Sequence, residues 1–193
     1  MLKNTFTLYS IEETMAKGKY TKDYRLIEEF REDGRVRTGY EYIGAPYYFE
    51  GDRDVLESEK RKALSLIVFA CAAFIGSLIL YTALMHSLFV ALPFAFNALP
   101  LFSAGELIFG MNKWKEPLEH RHADRINNSY PARALAIIYL SGIALIGEAV
   151  LIIKNGITAP GDAVMAFCTA VIFACGFALF RKRKVFRAAE RSA

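Results

Sequence analysis

Long apolar runs with almost no charge alternate with polar segments along this chain. A helix that crosses the hydrocarbon of a bilayer needs about 20 mostly apolar residues, and only helices or closed barrels satisfy their backbone groups there. Four runs meet this length, and none has the polar face of a helix in a water-soluble bundle. The runs are Ala63 to Met85, Ser87 to Met111, Ala134 to Ile153 and Ala163 to Phe180. The pattern predicts an all-α membrane protein with a four-helix transmembrane bundle within residues 60–185.

Composition and charge support this prediction and give it a direction. Hydrophobic residues make up 54% of the chain, and the runs contain only two charges, Glu106 and Glu148. Lys and Arg collect on the cytoplasmic side of membrane spans. Of the 24 Lys and Arg residues, only Lys154 falls on the other side of the four runs. We therefore expect both termini in the cytoplasm, in a cell membrane, with very short outer loops and a basic cytoplasmic tail at residues 186–193.

The polar N-terminal region, residues 1–59, is too short and too charged to build a large core alone. Asp33-Gly34 is a favoured two-residue hairpin turn, and β-rich residues such as Val36, Tyr40 and Tyr42 follow it. The pattern favours a β-hairpin over about residues 24–43. The alternative is a short helix from Tyr24 to Glu32 that ends at Gly34, since Glu, Arg and Leu are good helix formers.

Aromatic residues next to the runs are candidates for interface contacts. Tyr47, Tyr48 and Phe49 are adjacent, and Trp114 lies between two lysines. Such side chains suit the boundary between membrane and water. They are equally suited to fill an apolar notch on a protein partner.

Glu148 is the more promising of the two charges as a functional group, because an ionisable side chain inside a span is expensive to bury. Ser141, seven residues earlier, shares its helical face, and His86 is expected at the same outer level. These three residues could bind a proton or a cation. Hydrogen bonding between helices is the alternative and is the more common role of polar residues in spans.

The second run contains Asn97 between Pro93 and Pro100, all on one helical face. Proline removes a backbone hydrogen bond and can kink a helix, and broken helices line many transporter sites. Proline is also common in ordinary spans. Glu106 belongs to the same run but lies near its inner end, at a different depth from Glu148, so a paired carboxylate site is not expected.

Small residues at four-residue spacing predict close helix packing, within the bundle or in a dimer. They are Ala166, Ala170, Ala174 and Ala178 in the fourth run, with Ala72 and Gly76 in the first.

Known catalytic and nucleotide-binding motifs are absent from the sequence. The three cysteines lie inside the runs without a C-x-x-C spacing, and His120 and His122 lack further metal ligands at a suitable spacing. We expect no enzyme activity, no cofactor, no metal site and no nucleic acid partner. The sequence favours a non-enzymatic accessory or scaffold subunit that contacts the lipid bilayer and a protein partner or a second copy of itself. The alternative is a small oligomeric transporter or channel subunit that uses Glu148 and Asn97.

Overall fold

A computed structural model describes residues 20–30, 36–79, 82–114, 116–157 and 159–190. The chain divides into two units. The first, named the hairpin unit, comprises the described parts of residues 1–48, 116–123 and 189–193. The second, named the helical unit, comprises the described parts of residues 49–115 and 124–188.

The hairpin unit contains the predicted β-hairpin. A 3₁₀ turn, Thr21–Asp23, leads into β1 (Tyr24–Phe30), which pairs antiparallel with β2 (Val36–Tyr42). Tyr24 lies opposite Tyr42, and Leu26 lies opposite Tyr40. The hairpin prediction is confirmed. The alternative of a helix over residues 24–32 is wrong, because Tyr24–Phe30 form a strand that pairs with the β-rich strand β2. The predicted Asp33-Gly34 turn lies outside the described residues.

Two short strands were not predicted. β3 (Tyr47–Phe49) pairs with β4 (Ala188–Glu190) in a separate two-stranded sheet. Residues expected as interfacial aromatics and as a basic tail therefore also form backbone pairs. Leu118 joins β3 by an isolated bridge to Tyr47, with reciprocal backbone hydrogen bonds of 3.1 and 2.8 Å.

Four helical segments, here called spans, are long and apolar enough to cross a membrane, and they correspond to the four predicted runs. The α-helices, in chain order, are α1 (Arg53–Ile79), α2 (Leu88–Phe96), α3 (Ala98–Met111), α4 (His120–Asp124), α5 (Tyr130–Asn155) and α6 (Pro160–Arg181). The second span combines α2 and α3. The third is a continuous segment from His120 to Asn155, in which a π-helical stretch, Arg125–Ser129, joins α4 to α5.

The helix ends differ from the predicted runs. α1 begins ten residues before the predicted Ala63, because the Glu and Lys residues there favour helix even though they are polar. The helix is described as far as Ile79, and it does not continue to Met85, because Ala83–His86 form a 3₁₀ turn. The Thr82 hydroxyl caps this turn by accepting a hydrogen bond from the Leu84 backbone N–H at 3.2 Å. Hydropathy alone does not register such a cap.

Glycines set the closest approaches between helices. A Cβ at Gly176 of α6 would lie 2.8 Å from Ile137 of α5, and one at Gly147 of α5 would lie 3.0 Å from Val90 of α2. Gly105 of α3 approaches Ile67 of α1 in the same way, at 3.2 Å. The spans therefore pack directly against one another around an apolar core. Its fully buried members include Phe94, Leu101, Ile108, Ile137, Met165 and Ile172.

The outward surface of the helices is apolar. Phe89 and Ile153 are more than 80% exposed, and many other large apolar side chains are more than half exposed. Soluble monomers rarely expose so much contiguous apolar surface. A lipid environment would account for it, in agreement with four helical segments that are long and apolar enough to cross a membrane.

Candidate functional site

Glu148 forms the centre of a polar site inside the helical unit. Its side chain, on α5, is 1% exposed and faces α6. The hydroxyl of Thr169, on α6, lies 2.7 Å from Glu148 Oε1 and 3.0 Å from the carbonyl oxygen of Met165. Among the described residues, Glu148 Oε2 has no hydrogen-bond partner. One oxygen of the buried carboxyl group is thus bonded and the other is not.

Ser141 and His86 were predicted to lie beside Glu148. Ser141 is fully buried, and its hydroxyl donates to the Ile137 carbonyl of its own helix at 2.5 Å. His86 is exposed in the 3₁₀ turn that follows α1. The hydrogen bond to Glu148 comes instead from Thr169, which the sequence analysis did not select. A lone Thr in an apolar run gives no sequence signal of its bonding partner, because the pairing depends on the rotation of two helices.

Asn97 separates α2 from α3 and is fully buried. Its backbone remains helical, and its N–H lies 3.2 Å from the Pro93 carbonyl and 3.1 Å from that of Phe94. The side-chain amide has no hydrogen-bond partner among the described residues, at either the oxygen or the nitrogen. Buried polar groups are normally satisfied, so this amide marks a place where a water, an ion or another polar group could bind.

Glu106, the other charge in a span, is exposed on α3. The structure therefore gives the two carboxyl groups different surroundings: Glu148 is in the core, and Glu106 is on the outer surface of the bundle. Glu148 and Asn97 are the predicted site residues that combine full burial with an unpartnered polar atom.

A second buried carboxylate, Asp162, joins the loops at one end of the helical unit. The Thr82 hydroxyl and the Ala83 backbone N–H donate to Asp162 Oδ1 at 2.6 and 3.0 Å. The Ala159 N–H donates to Oδ2 at 3.0 Å. Asp162 thus connects the start of α6 to the segment after α1. Its role in joining the loops was missed because Thr82 and Ala83 lie 80 and 79 positions away in sequence.

The other end of the helical unit, named the basic end, contains the start of α1 and α5 and the end of α3 and α6. Glu59 of α1 forms ion pairs with Lys62 and with Lys182, the residue after α6. Lys60 donates to the last carbonyl of α3, at Met111, at 3.2 Å. The Tyr130 hydroxyl donates to the Leu179 carbonyl at 2.8 Å. These bonds hold all four spans together.

Asn127, in the π-helical stretch, holds the chain that follows α6. Its Nδ2 donates to the Ala188 carbonyl at 2.7 Å, and its Oδ1 accepts from the Ala188 N–H at 3.0 Å. The amide thereby imitates the backbone of a neighbouring strand. Short π-helical stretches are frequent at functional sites.

The hairpin unit has its own polar cluster around His120. The His120 Nδ1 lies 2.9 Å from Asp23 Oδ2, and the ring stacks on Tyr47 with centroids 5.4 Å apart. The Tyr24 hydroxyl donates to Glu119 at 2.5 Å. Burial, followed by this hydrogen bond, raises the pKa of Tyr24 to about 12. Burial also raises the pKa of Tyr42, whose hydroxyl accepts from the His120 backbone N–H. The cluster joins residues 119–120 to the hairpin.

Metal binding finds no support in the described ranges. No group of three or more His, Cys, Asp or Glu side chains is placed to hold a metal ion there. His120 and His122 contact Asp23 and Glu119 respectively, at 2.9 and 3.9 Å.

The aromatic residues singled out beside the runs make internal contacts. Tyr47 stacks on His120, and Lys60 lies over the ring of Phe49 at 4.8 Å. Trp114 lies beside Gly110, 3.4 Å from the position of an added Cβ. Tyr48 is half-buried.

The small residues do not mark the buried side of α6. Ala170 and Ala174 are exposed, whereas Ala166 and Ala178 are partly so. In α1, Ala72 is exposed and Gly76 has open space where a Cβ would be. The close contact between α5 and α6 is made by Gly176 instead.

Comparison of the chain with known proteins finds no matching family model, no matching curated protein and no matching solved structure.

Proposed function

We propose that this chain is a non-enzymatic accessory or scaffold subunit of a membrane complex, held in the cell membrane by four helices with both termini in the cytoplasm. The hairpin then contacts a larger protein partner. The observation that carries this proposal is the apolar surface of the hairpin. Val36 is 50% exposed, Tyr40 is 44% exposed, and Ile43 just beyond β2 is 57% exposed. Val36 and Tyr40 are four residues apart in one strand and so lie on one face.

The polar contacts of the helical unit agree with a scaffold role. Asp162, Glu59 and Tyr130 all bond one helix or loop to another. Such bonds fix the arrangement of the spans. In the first unit, Val36, Tyr40 and Ile43 are exposed apolar side chains, and exposed apolar patches often mark interaction sites.

Co-purification of the tagged full-length chain in mild detergent tests this proposal. A stoichiometric protein partner should be present with the wild type and lost with the double variant Val36→Ser, Tyr40→Ser. Glu41→Gln is the matched control, because Glu41 is exposed on the opposite face of β2. The proposal fails if no stoichiometric partner is found, or if both variants retain the partner equally.

The cytoplasmic location of the termini has a separate test. Reporter proteins that are active on only one side of the membrane are fused after Ala193. A cytoplasmic reporter should be active and a reporter that requires export inactive, because Lys and Arg concentrate at the basic end. The reverse pattern would overturn the orientation.

A second candidate function is an oligomeric transporter or channel subunit. The unpartnered Oε2 of Glu148 and the unpartnered amide of Asn97 favour it, since such groups can bind a proton, a water or a small cation. Proteoliposomes provide the test. Proton or monovalent cation flux that is lost in Glu148→Gln and in Asn97→Leu, while both variants keep the wild-type melting temperature, would favour transport over the accessory role.

A further inference from the structure

A groove at the end of α6 combines aromatic rings with positive charge. Its volume is about 380 Å³, and Phe177, Phe180, Arg181, Arg183 and Lys184 line it. Phe177 is 52% exposed, and Arg181, Arg183 and Lys184 are all exposed. The groove lies at the basic end of the helical unit, where the fourth span finishes.

The basic residues of this region differ in whether an acidic partner neutralises them. Lys182 is paired with Glu59, and Arg187 with Glu50 at 3.6 Å. Arg181, Arg183 and Lys184 form no ion pair with any residue that the structure describes. The carbonyl groups at the end of α6 carry only about half a negative charge in total, so three cations leave the groove strongly positive.

Arg183 is held in place before any ligand binds. Its guanidinium carbon lies 3.9 Å from the centroid of the Phe180 ring, as in a cation–π contact. A contact with a ring face leaves the N–H groups of a guanidinium available for a phosphate or a carboxylate. Holding the side chain in advance reduces the entropy lost on binding.

Helix geometry separates the apolar and basic parts of the groove by depth. Phe177 precedes Arg181 by four residues, which corresponds to about 6 Å along the helix axis. In a membrane the ring of Phe177 then lies in the hydrocarbon, while the cations lie at the level of the headgroups. A free anion would use the cations alone, whereas a lipid would use both parts.

We propose that this groove binds one anionic phospholipid, with its phosphate between Arg181, Arg183 and Lys184 and an acyl chain along Phe177 and Phe180. The site is independent of the hairpin surface and of Glu148. A bound lipid at this position would fasten the end of the fourth span to the headgroup layer.

To test the proposal, the full-length protein is delipidated and reconstituted into nanodiscs of defined lipid composition. Native mass spectrometry then measures which lipid stays bound to the protein. Phosphatidylglycerol should be retained about 100-fold more than phosphatidylcholine, at about fivefold for each of the three cations. The double variant Arg183→Gln, Lys184→Gln should reduce this retention about 25-fold, at about fivefold for each cation. Arg125→Gln, which removes a charge outside the groove, should change it less than twofold, and Phe180→Leu should reduce it with all charges kept.

Three outcomes would overturn the proposal. Equal retention of phosphatidylglycerol and phosphatidylcholine would show that the headgroup charge is not recognised. An equal loss in Arg125→Gln would show only diffuse attraction to an anionic surface. Competition by inorganic phosphate at the same concentration as the lipid would show a site for free phosphate that makes no use of an acyl chain.

Discussion

The two buried carboxyl groups of the helical unit have opposite hydrogen-bonding states. Asp162 and Glu148 are each 1% exposed. Asp162 accepts hydrogen bonds at both oxygens, from Thr82, Ala83 and Ala159. Glu148 accepts one, from Thr169, and its other oxygen has no partner among the described residues. Burial alone therefore does not identify a functional carboxyl group. The number of hydrogen bonds that a buried carboxyl group accepts distinguishes a structural connection, such as Asp162, from a group that can still bind a proton or a ligand.

Removal of the Asp162 carboxylate gives the largest expected effect. Asp162→Ala leaves two backbone N–H groups and one hydroxyl without their acceptor, and each unsatisfied buried group costs about 1–3 kcal/mol. We expect a loss of about 3 kcal/mol, seen as a lower melting temperature in detergent. Glu57→Ala, which removes an exposed carboxylate from α1, should change stability by less than about 0.5 kcal/mol. Equal effects of the two variants would contradict the structural role of Asp162.

Two glycines inside span helices, Gly176 and Gly76, should respond in opposite directions to substitution by alanine. Gly176→Ala places a Cβ 2.8 Å from Ile137, so we expect a loss of about 1–3 kcal/mol from overpacking. Gly76→Ala meets nothing within 4 Å and should be neutral or stabilise the helix by about 0.4–1 kcal/mol. Thermal unfolding of both variants in one detergent measures the difference. A stable Gly176→Ala would mean that α5 and α6 are further apart than described.

Glu148→Gln should have a small effect on stability. The amide oxygen can still accept from Thr169, and the amide nitrogen replaces an oxygen that has no partner, so we expect a change below about 1 kcal/mol. Thr169→Val removes the donor and should have a larger effect than Glu148→Gln. The reverse order in thermal unfolding would indicate that the unpartnered oxygen has a stabilising ligand.

The hairpin unit should lose stability at high pH through Tyr24. Its folded-state pKa of about 12 lies above the ordinary value of 10.0, so the unfolded chain releases the proton first. The stabilisation is complete below the ordinary pKa and is lost as pH rises through about 12. Alkaline titration of tyrosinate absorbance, as the difference between wild type and Tyr24→Phe, should show a late-titrating group. A difference curve centred on the ordinary tyrosine value would contradict the burial of Tyr24 and its hydrogen bond to Glu119.

The spans and the hairpin were predictable because their signals are local. An apolar run defines a membrane helix by its own composition, and β-rich residues around Asp33-Gly34 define a hairpin by pairing with near neighbours. Helix ends were less predictable, because polar helix formers such as Glu57 extend α1 and a 3₁₀ turn capped by Thr82 replaces the α-helix at Ala83–His86.

For a related reason, two members of the polar site were predictable but their hydrogen-bonding partners were not. Glu148 and Asn97 are conspicuous as polar residues in apolar runs. The surroundings of Glu148 and Asn97 depend on which residues of neighbouring helices face them. Nothing in the sequence distinguishes Thr169 or Gly176 from span residues on the outer surface. The alanine spacing in α6 illustrates this, since Ala170 and Ala174 are exposed while Gly176 makes the contact with α5.

The most direct test of the accessory-subunit proposal is the mass and composition of the wild-type particle, purified from its native membrane in mild detergent. Light scattering gives the protein mass, and mass spectrometry identifies the components. We predict a particle that contains this chain and a larger protein in fixed stoichiometry. A particle that contains only copies of this 193-residue chain would contradict the proposal and favour the transport function based on Glu148 and Asn97.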